Sequence, residues 1–277
     1  MPHALALLVI TLGAAIVNGA LGYGFSSITV PIVLLFLTNR VLNPALVLVE
    51  VVLNAWVLWV NRAALPLVRP RVQLIVVGLI PGVVIGTLIL SRVHPGWLKL
   101  ATYAILLPPI LLQAAGLRRP VRAERTAALV LGGGVGVLYA VTTISGPPLA
   151  VALNNQGFSK QEFRAALAFV RLAESSLTAM AYLFAGLFIR ESFALLPSIL
   201  PGVVIGVPLG AVIIRHLQPD TFRRICMSFD AWVVSFGLST LLRELHLVEG
   251  AAAYGVMAVV VAIDASLLYR FFRRRVG

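Results

Sequence analysis

Long apolar blocks, broken by short polar or basic punctuation, fill this chain from end to end. Several approach the roughly 20 residues that an α-helix needs to cross a bilayer. In order they read Ala4–Leu21, Phe25–Thr38, Asn43–Val60, Val72–Ser91 and Trp97–Ala115. A second series follows as Thr126–Ala140, Ile144–Asn154, Glu162–Phe188, Phe193–Ile214, Thr221–Leu242 and Gly250–Arg270. No polar stretch between them is long enough to fold as a separate soluble domain, so the pattern predicts one all-helical membrane domain over 1–277.

Composition strengthens this reading. Hydrophobic residues make up 60% of the chain and charged ones 12%, with a mean hydropathy of +1.00. That is too little polar surface for a soluble domain. The net charge of +12 raises the question of nucleic acid. The arginines, however, sit in clusters between apolar runs rather than on one amphipathic face. The clusters are Arg62/Arg69/Arg71, Arg118/Arg119/Arg122/Arg125, Arg215/Arg223/Arg224 and Arg270/Arg273/Arg274/Arg275. An even number of segments separates each successive pair, so all four can share the cytoplasmic side, where positive charge concentrates. The resulting orientation is N-terminus outside and C-terminus cytoplasmic, with Arg40, Arg92, Lys99, Arg190 and Arg243 as outer exceptions. Met1-Pro2-His3 lacks the basic start of a cleavable signal. The single cysteine, Cys226, reads as a small core residue.

The string PGVVIG occurs at Pro81–Gly86 and again at Pro201–Gly206, and the pairs Pro31/Pro148 and Gly19/Gly136 recur at nearly the same spacing. This is an internal repeat of about 120 residues, too long for a solenoid unit. Repeat 1 covers 1–116 and repeat 2 covers 126–243, with 250–270 as an extra C-terminal helix. Each repeat contains an odd number of segments, so the second copy enters from the opposite side. Inverted-topology repeats with a midplane site at their interface are a recurrent transporter architecture.

Each repeat carries a polar break, Asn18 to Pro31 in the first and Gly132 to Pro148 in the second. The segments after the breaks are short, which predicts re-entrant or discontinuous helices that meet near mid-membrane. A helix that starts there points free N–H groups and a positive dipole end into the interior. Ser26, Ser27, Thr142, Thr143 and Ser145 would add hydroxyl donors for a small anion. The alternative is that small residues simply permit tight helix packing. Arg171 and Glu174, at i and i+3 deep in an apolar run, either pair with each other or face a cavity. Arg171 offers an oxyanion a forked donor. Glu174 and Glu50 are placed to pair with a basic group or to carry a coupling proton; for Glu50, as for Asp230 and Asp264, helix packing is a further use. Asn54, which matches the Arg171/Glu174 region across the repeat, is a further polar contributor. Trp56, Trp59, Trp97 and Tyr269 read as interfacial or packing aromatics.

The chain resembles the sulfite exporter family of the TauE/SafE type. The resemblance rests on Gly19-Ala-Leu-Gly-Tyr-Gly-Phe25 with Pro31, the PGVVIG pair, Thr142-Thr-Ile-Ser-Gly-Pro-Pro-Leu149, and Phe158-Ser-Lys-Gln-Glu-Phe-Arg-Ala165. It implies a cytoplasmic-membrane permease for sulfite, sulfonates or related organosulfur anions, with no ATPase in the same chain. Family members often have more glycines where this chain has Phe25-Ser26-Ser27.

Other functions fit the residues less well. A carboxylate or inorganic anion is the rival substrate, and a membrane scaffold the rival role. An intramembrane enzyme needs a nucleophile–base pair or metal trio at depth, yet His3, His94, His216 and His246 fall at segment ends or in loops. No Cys/His grouping has metal-ligand spacing, no cofactor is implied, and no P-loop is present. The expected partners are the anion and the lipid bilayer, not nucleic acid. A homodimer is one use of the small-residue faces; packing within the chain is the other.

Overall fold

The computed structural model describes residues 4–115, 125–154 and 158–276. The first helices are α1 (Ala4–Leu21), α2 (Phe25–Val33), α3 (Asn39–Val60), α4 (Leu65–Arg92), α5 (Pro95–Ala114) and α6 (Arg125–Thr142). They are followed by α7 (Gly146–Asn154), α8 (Lys160–Phe184), α9 (Arg190–Phe193), α10 (Leu196–Ile213), α11 (Pro219–Glu244) and α12 (Gly255–Val276). The described residues hold no strand, and nine of their helical stretches are long and apolar enough to cross a membrane. The expected basic residues Arg118, Arg119 and Arg122 and the start at Met1 to His3 lie outside the described residues.

Helix α4 begins seven residues before the expected Val72, so Arg69 and Arg71 lie in its opening turns rather than in a loop. Its prolines explain the early start, because Pro66 stands at the helix N-terminus, where a missing N–H costs nothing. Helix α3 likewise starts a turn earlier than Asn43, which places Pro44 in its first turns. By contrast, α2 stops at Val33, short of the expected Thr38.

The two helices that carry PGVVIG pack reciprocally: α4 lies along α6, and α10 lies along α1. Their glycines sit at every fourth position, Gly78/Gly82/Gly86 and Gly202/Gly206/Gly210, so one face of each helix is bare backbone. A Cβ built on Gly210 would stand 1.9 Å from the Ile16 carbonyl oxygen, and one on Gly82 2.2 Å from that of Gly133. In lipid, where apolar side chains gain little by leaving the solvent, such backbone contact is what holds helices together. Gly202, Gly206 and Gly210 meet successively later residues of α1, so these two helices run in the same direction. The same holds for α4 and α6. Helices α3 and α8 cross at the centre, α5 packs on α11, and α12 leans on α11.

These directions bring Arg62, at the end of α3, and Arg125, at the start of α6, to one end of the molecule. Asn61, Arg164, Arg215 and Arg223 line one cavity at this end. The outward faces are apolar, with Trp56, Trp59, Trp97 and Tyr269 all exposed. Arg62 sits over the Trp59 ring at 4.4 Å. Inside the helix pair α11/α12, Arg224 meets the buried Asp264 at 2.8 Å, and Trp232 donates its indole N–H to the same carboxylate.

At the opposite end, Arg40 donates to the carbonyls of Leu90, Ser91 and Val93 at 2.7–3.0 Å. It is thus a cationic cap on the C-terminus of α4, which accounts for an arginine on a side otherwise poor in them. Arg40→Ala is expected to cost about 1.5–3 kcal/mol, the worth of charge-assisted bonds. The readout is a lower unfolding midpoint in detergent. Arg40→Lys should recover only part of it, because a lysine has no fork to span three carbonyls.

Candidate functional site

Two interruptions lead to the site. In the first, α1 ends at Leu21 and the chain turns through Gly22 (φ 85°) and Gly24 (φ 111°), both left-handed, before α2 starts at Phe25. Only glycine adopts such angles without strain. In the second, Thr143 takes the left-handed position itself (φ 57°), at some strain for a β-branched residue. The loose carbonyls at the end of α6 are satisfied from neighbouring helices. Asn43 donates to Val141 at 2.7 Å, Asn39 to the same oxygen at 3.3 Å, and Tyr182 to Ala140 at 2.5 Å. Each short helix, α2 and α7, has nine residues, a length of only ~13 Å.

The predicted hydroxyls divide into two groups. Ser27, Thr142 and Thr143 serve the backbone of the breaks. Ser27 donates to Gly24, Thr143 to Thr142, and Thr142 both donates to Leu138 and accepts from the Ile144 amide. Ser26 and Ser145 face glutamates instead. Ser26 Oγ donates to Glu50 Oε1 at 2.5 Å, and Ser145 Oγ to Glu174 Oε2 at 2.5 Å. Each break thus offers one serine to one carboxyl, Glu50 on α3 and Glu174 on α8.

Arg171 joins the two helices. Its Nη2 lies 2.8 Å from Glu50 Oε1, so the ion pair formed is with Glu50 across the α3/α8 crossing rather than with Glu174 on its own helix. Tyr139 on α6 donates to Glu50 Oε2 at 2.7 Å. Glu50 and Glu174 are fully buried and Arg171 is 2% exposed. Glu50 has therefore satisfied both oxygens, while Arg171 has not spent its donors: Nε and Nη1 are buried without a partner. Glu174 Oε1 and Asn54 Nδ2 are also buried and unpartnered. A guanidinium with two idle edges in a dry interior is a standing cost that a bound oxyanion would relieve.

Sequence reasoning did not single out Tyr139. Its signal was a lone phenol in the apolar run of α6, one turn before Thr142. The Glu50–Arg171 contact spans 121 positions of sequence, and no local spacing announces it.

A cavity of about 680 Å³ opens at the arginine-rich end, lined by Arg164, Arg215 and Arg223 among others. It runs inward to Tyr23 in the first break. Beyond Tyr23 lies a second void of about 10 Å³ beside Ser27, Cys226 and Asp230. Cys226 is thus a half-buried wall residue rather than part of the core. Among the described residues, no group of histidine, cysteine and acidic side chains could hold a metal ion.

Among the described residues, nine helices long enough and apolar enough to cross a membrane, together with a buried polar centre, make this a multi-pass membrane protein. The family model for the sulfite exporter TauE/SafE matches residues 7–236, and the chain belongs to that family. No curated protein and no solved structure matches. Helix α12 lies beyond the matched region.

Proposed function

We infer that this chain is a permease that moves a small sulfur oxyanion, such as sulfite or a sulfonate, across the cytoplasmic membrane by alternating access. The observation that carries this reading is the Arg171 guanidinium, with two unpartnered edges at the α3/α8 crossing. A tetrahedral or pyramidal oxyanion suits that fork, and the free Asn54 amide adds a further donor. The starts of α2 and α7 bring Ser26 and Ser145 to the two glutamates of the same centre.

The chain is best read as two inverted repeats, 1–116 and 126–243, followed by the extra helix 250–270. Support comes from the reciprocal packing of α4 on α6 and α10 on α1, and from the matched serine–glutamate contacts. The arginine-rich end is assigned to the cytoplasm by the positive-inside tendency, which puts the N-terminus outside and the C-terminus inside. The basic vestibule then faces the cytosol, and its arginines would concentrate anions at the mouth.

Titration of the purified protein with sulfite, methanesulfonate, sulfate and acetate tests the reading. Binding of the sulfur oxyanions is expected, and of acetate only weakly. Ser26→Ala should weaken binding about tenfold or more, as for the loss of a hydrogen bond to a charged group. Without Ser26, Glu50 leans harder on Arg171. Preference for acetate, or indifference to Ser26→Ala, would sink the proposed site.

A further inference from the structure

The charges at the α3/α8 crossing do not favour an anion as they stand. Glu50 and Arg171 offset each other at 2.8 Å. Glu174 adds a second carboxyl that is fully buried, held by Ser145 on one oxygen and bare on the other. The groups that face it are Arg171 on its own helix, Glu50 from α3, Tyr139 from α6 and Ser145 at the start of α7. Helix α4, which also packs on α8, contributes Val68, Val72, Ile75 and Leu79, all apolar. The one cation among these groups is already engaged by Glu50.

Two consequences follow for an incoming oxyanion. With Glu174 ionised, the centre carries a net negative charge in a medium of low dielectric, where like charges repel strongly. A carboxylate oxygen, moreover, can only accept hydrogen bonds, as can the oxygens of the substrate. With a proton on Glu174 the centre is neutral, and its bare Oε1 becomes a donor to add to the free edges of Arg171. Ser145 can hold the other oxygen in both states.

We propose that the substrate anion binds together with one proton, carried on Glu174, so that the two cross the membrane as a pair. This rests on the anion-permease reading above. No covalent bond forms to the substrate: the proton enters the Glu174 carboxyl from one aqueous side and leaves it to the other. For a singly charged anion the transported charge is then zero.

The probe is methanesulfonate, whose charge stays constant across the working pH range, unlike that of sulfite. In the wild-type protein its affinity should be greatest at low pH. It should then fall about tenfold per pH unit above the titration of Glu174, the slope for one linked proton. Glu174→Gln, neutral at every pH, should bind methanesulfonate with no such slope. In proteoliposomes an inward methanesulfonate gradient should acidify the lumen, reported by a trapped pH dye, and this needs no variant. A flat wild-type profile, the wild-type slope persisting in Glu174→Gln, a folded Glu174→Gln that binds nothing, or anion uptake without acidification each overturns the proposal. Failure of the wild-type protein to bind methanesulfonate at any pH removes the anion reading itself.

Discussion

Arg171→Ala is expected to destabilise the folded protein by about 3–5 kcal/mol, because it strands Glu50 as a buried, uncompensated charge. Glu50 is fully buried and its Oε1 loses the 2.8 Å contact; Ser26 and Tyr139 remain, but neither carries positive charge. The double change Glu50→Gln/Arg171→Met should restore much of that stability, since neutral isosteres of a buried pair are often tolerated. Anion binding should not return with it. Unfolding midpoints in mild detergent, measured beside binding, separate the two effects. Stability and binding that recover together would mean that Arg171 is a packing element and not a ligand.

A second large effect is expected where helix backbones touch. Gly210→Ala would put a methyl group 1.9 Å from the Ile16 carbonyl oxygen, on a backbone that cannot swing away. Helices α1 and α10 must then separate, at a cost of about 3 kcal/mol or more, the upper range for overpacking. Gly134→Ala is the control. It lies on the exposed face of α6 with no atom within 4 Å of its Cβ. It should be neutral, or should stabilise by up to about 1 kcal/mol through helix propensity. Yield of folded protein and thermal midpoint should move sharply for the first and scarcely for the second. Equal effects would mean that the glycine faces are not the seam.

Both predictions rest on features of unequal legibility in the sequence. The long helices were visible because lipid demands uninterrupted apolar runs, and the short segments after the breaks stood out by length. The glycines of PGVVIG read as a repeat marker; their fourfold spacing also sets the packing of α4 and α10. Helix starts were less clear where proline misleads: Pro66 and Pro70 look like loop residues, yet the first turns of α4 accommodate them. Ser26, Ser145, Arg171, Glu50 and Glu174 were nameable as polar residues in costly places. Their partners were not, because side chains that meet across a helix crossing have no fixed separation in sequence. The neighbour at i+3 made Glu174 the obvious mate for Arg171, whereas the crossing of α3 over α8 delivers Glu50. Arg40 shows the same limit: in the sequence it is a stray charge between two apolar runs, and in the structure it has a task as the cap of α4.

The central claim is that a sulfur oxyanion crosses the membrane through the Arg171 centre. Uptake of isotopically labelled sulfite and methanesulfonate into proteoliposomes tests it most directly, with wild-type protein beside the Glu50→Gln/Arg171→Met pair, chosen because it should fold. Saturable uptake by the wild-type protein, abolished in the folded double variant, is the predicted result. No uptake of either anion by the wild-type protein, or undiminished uptake by the double variant, would contradict it.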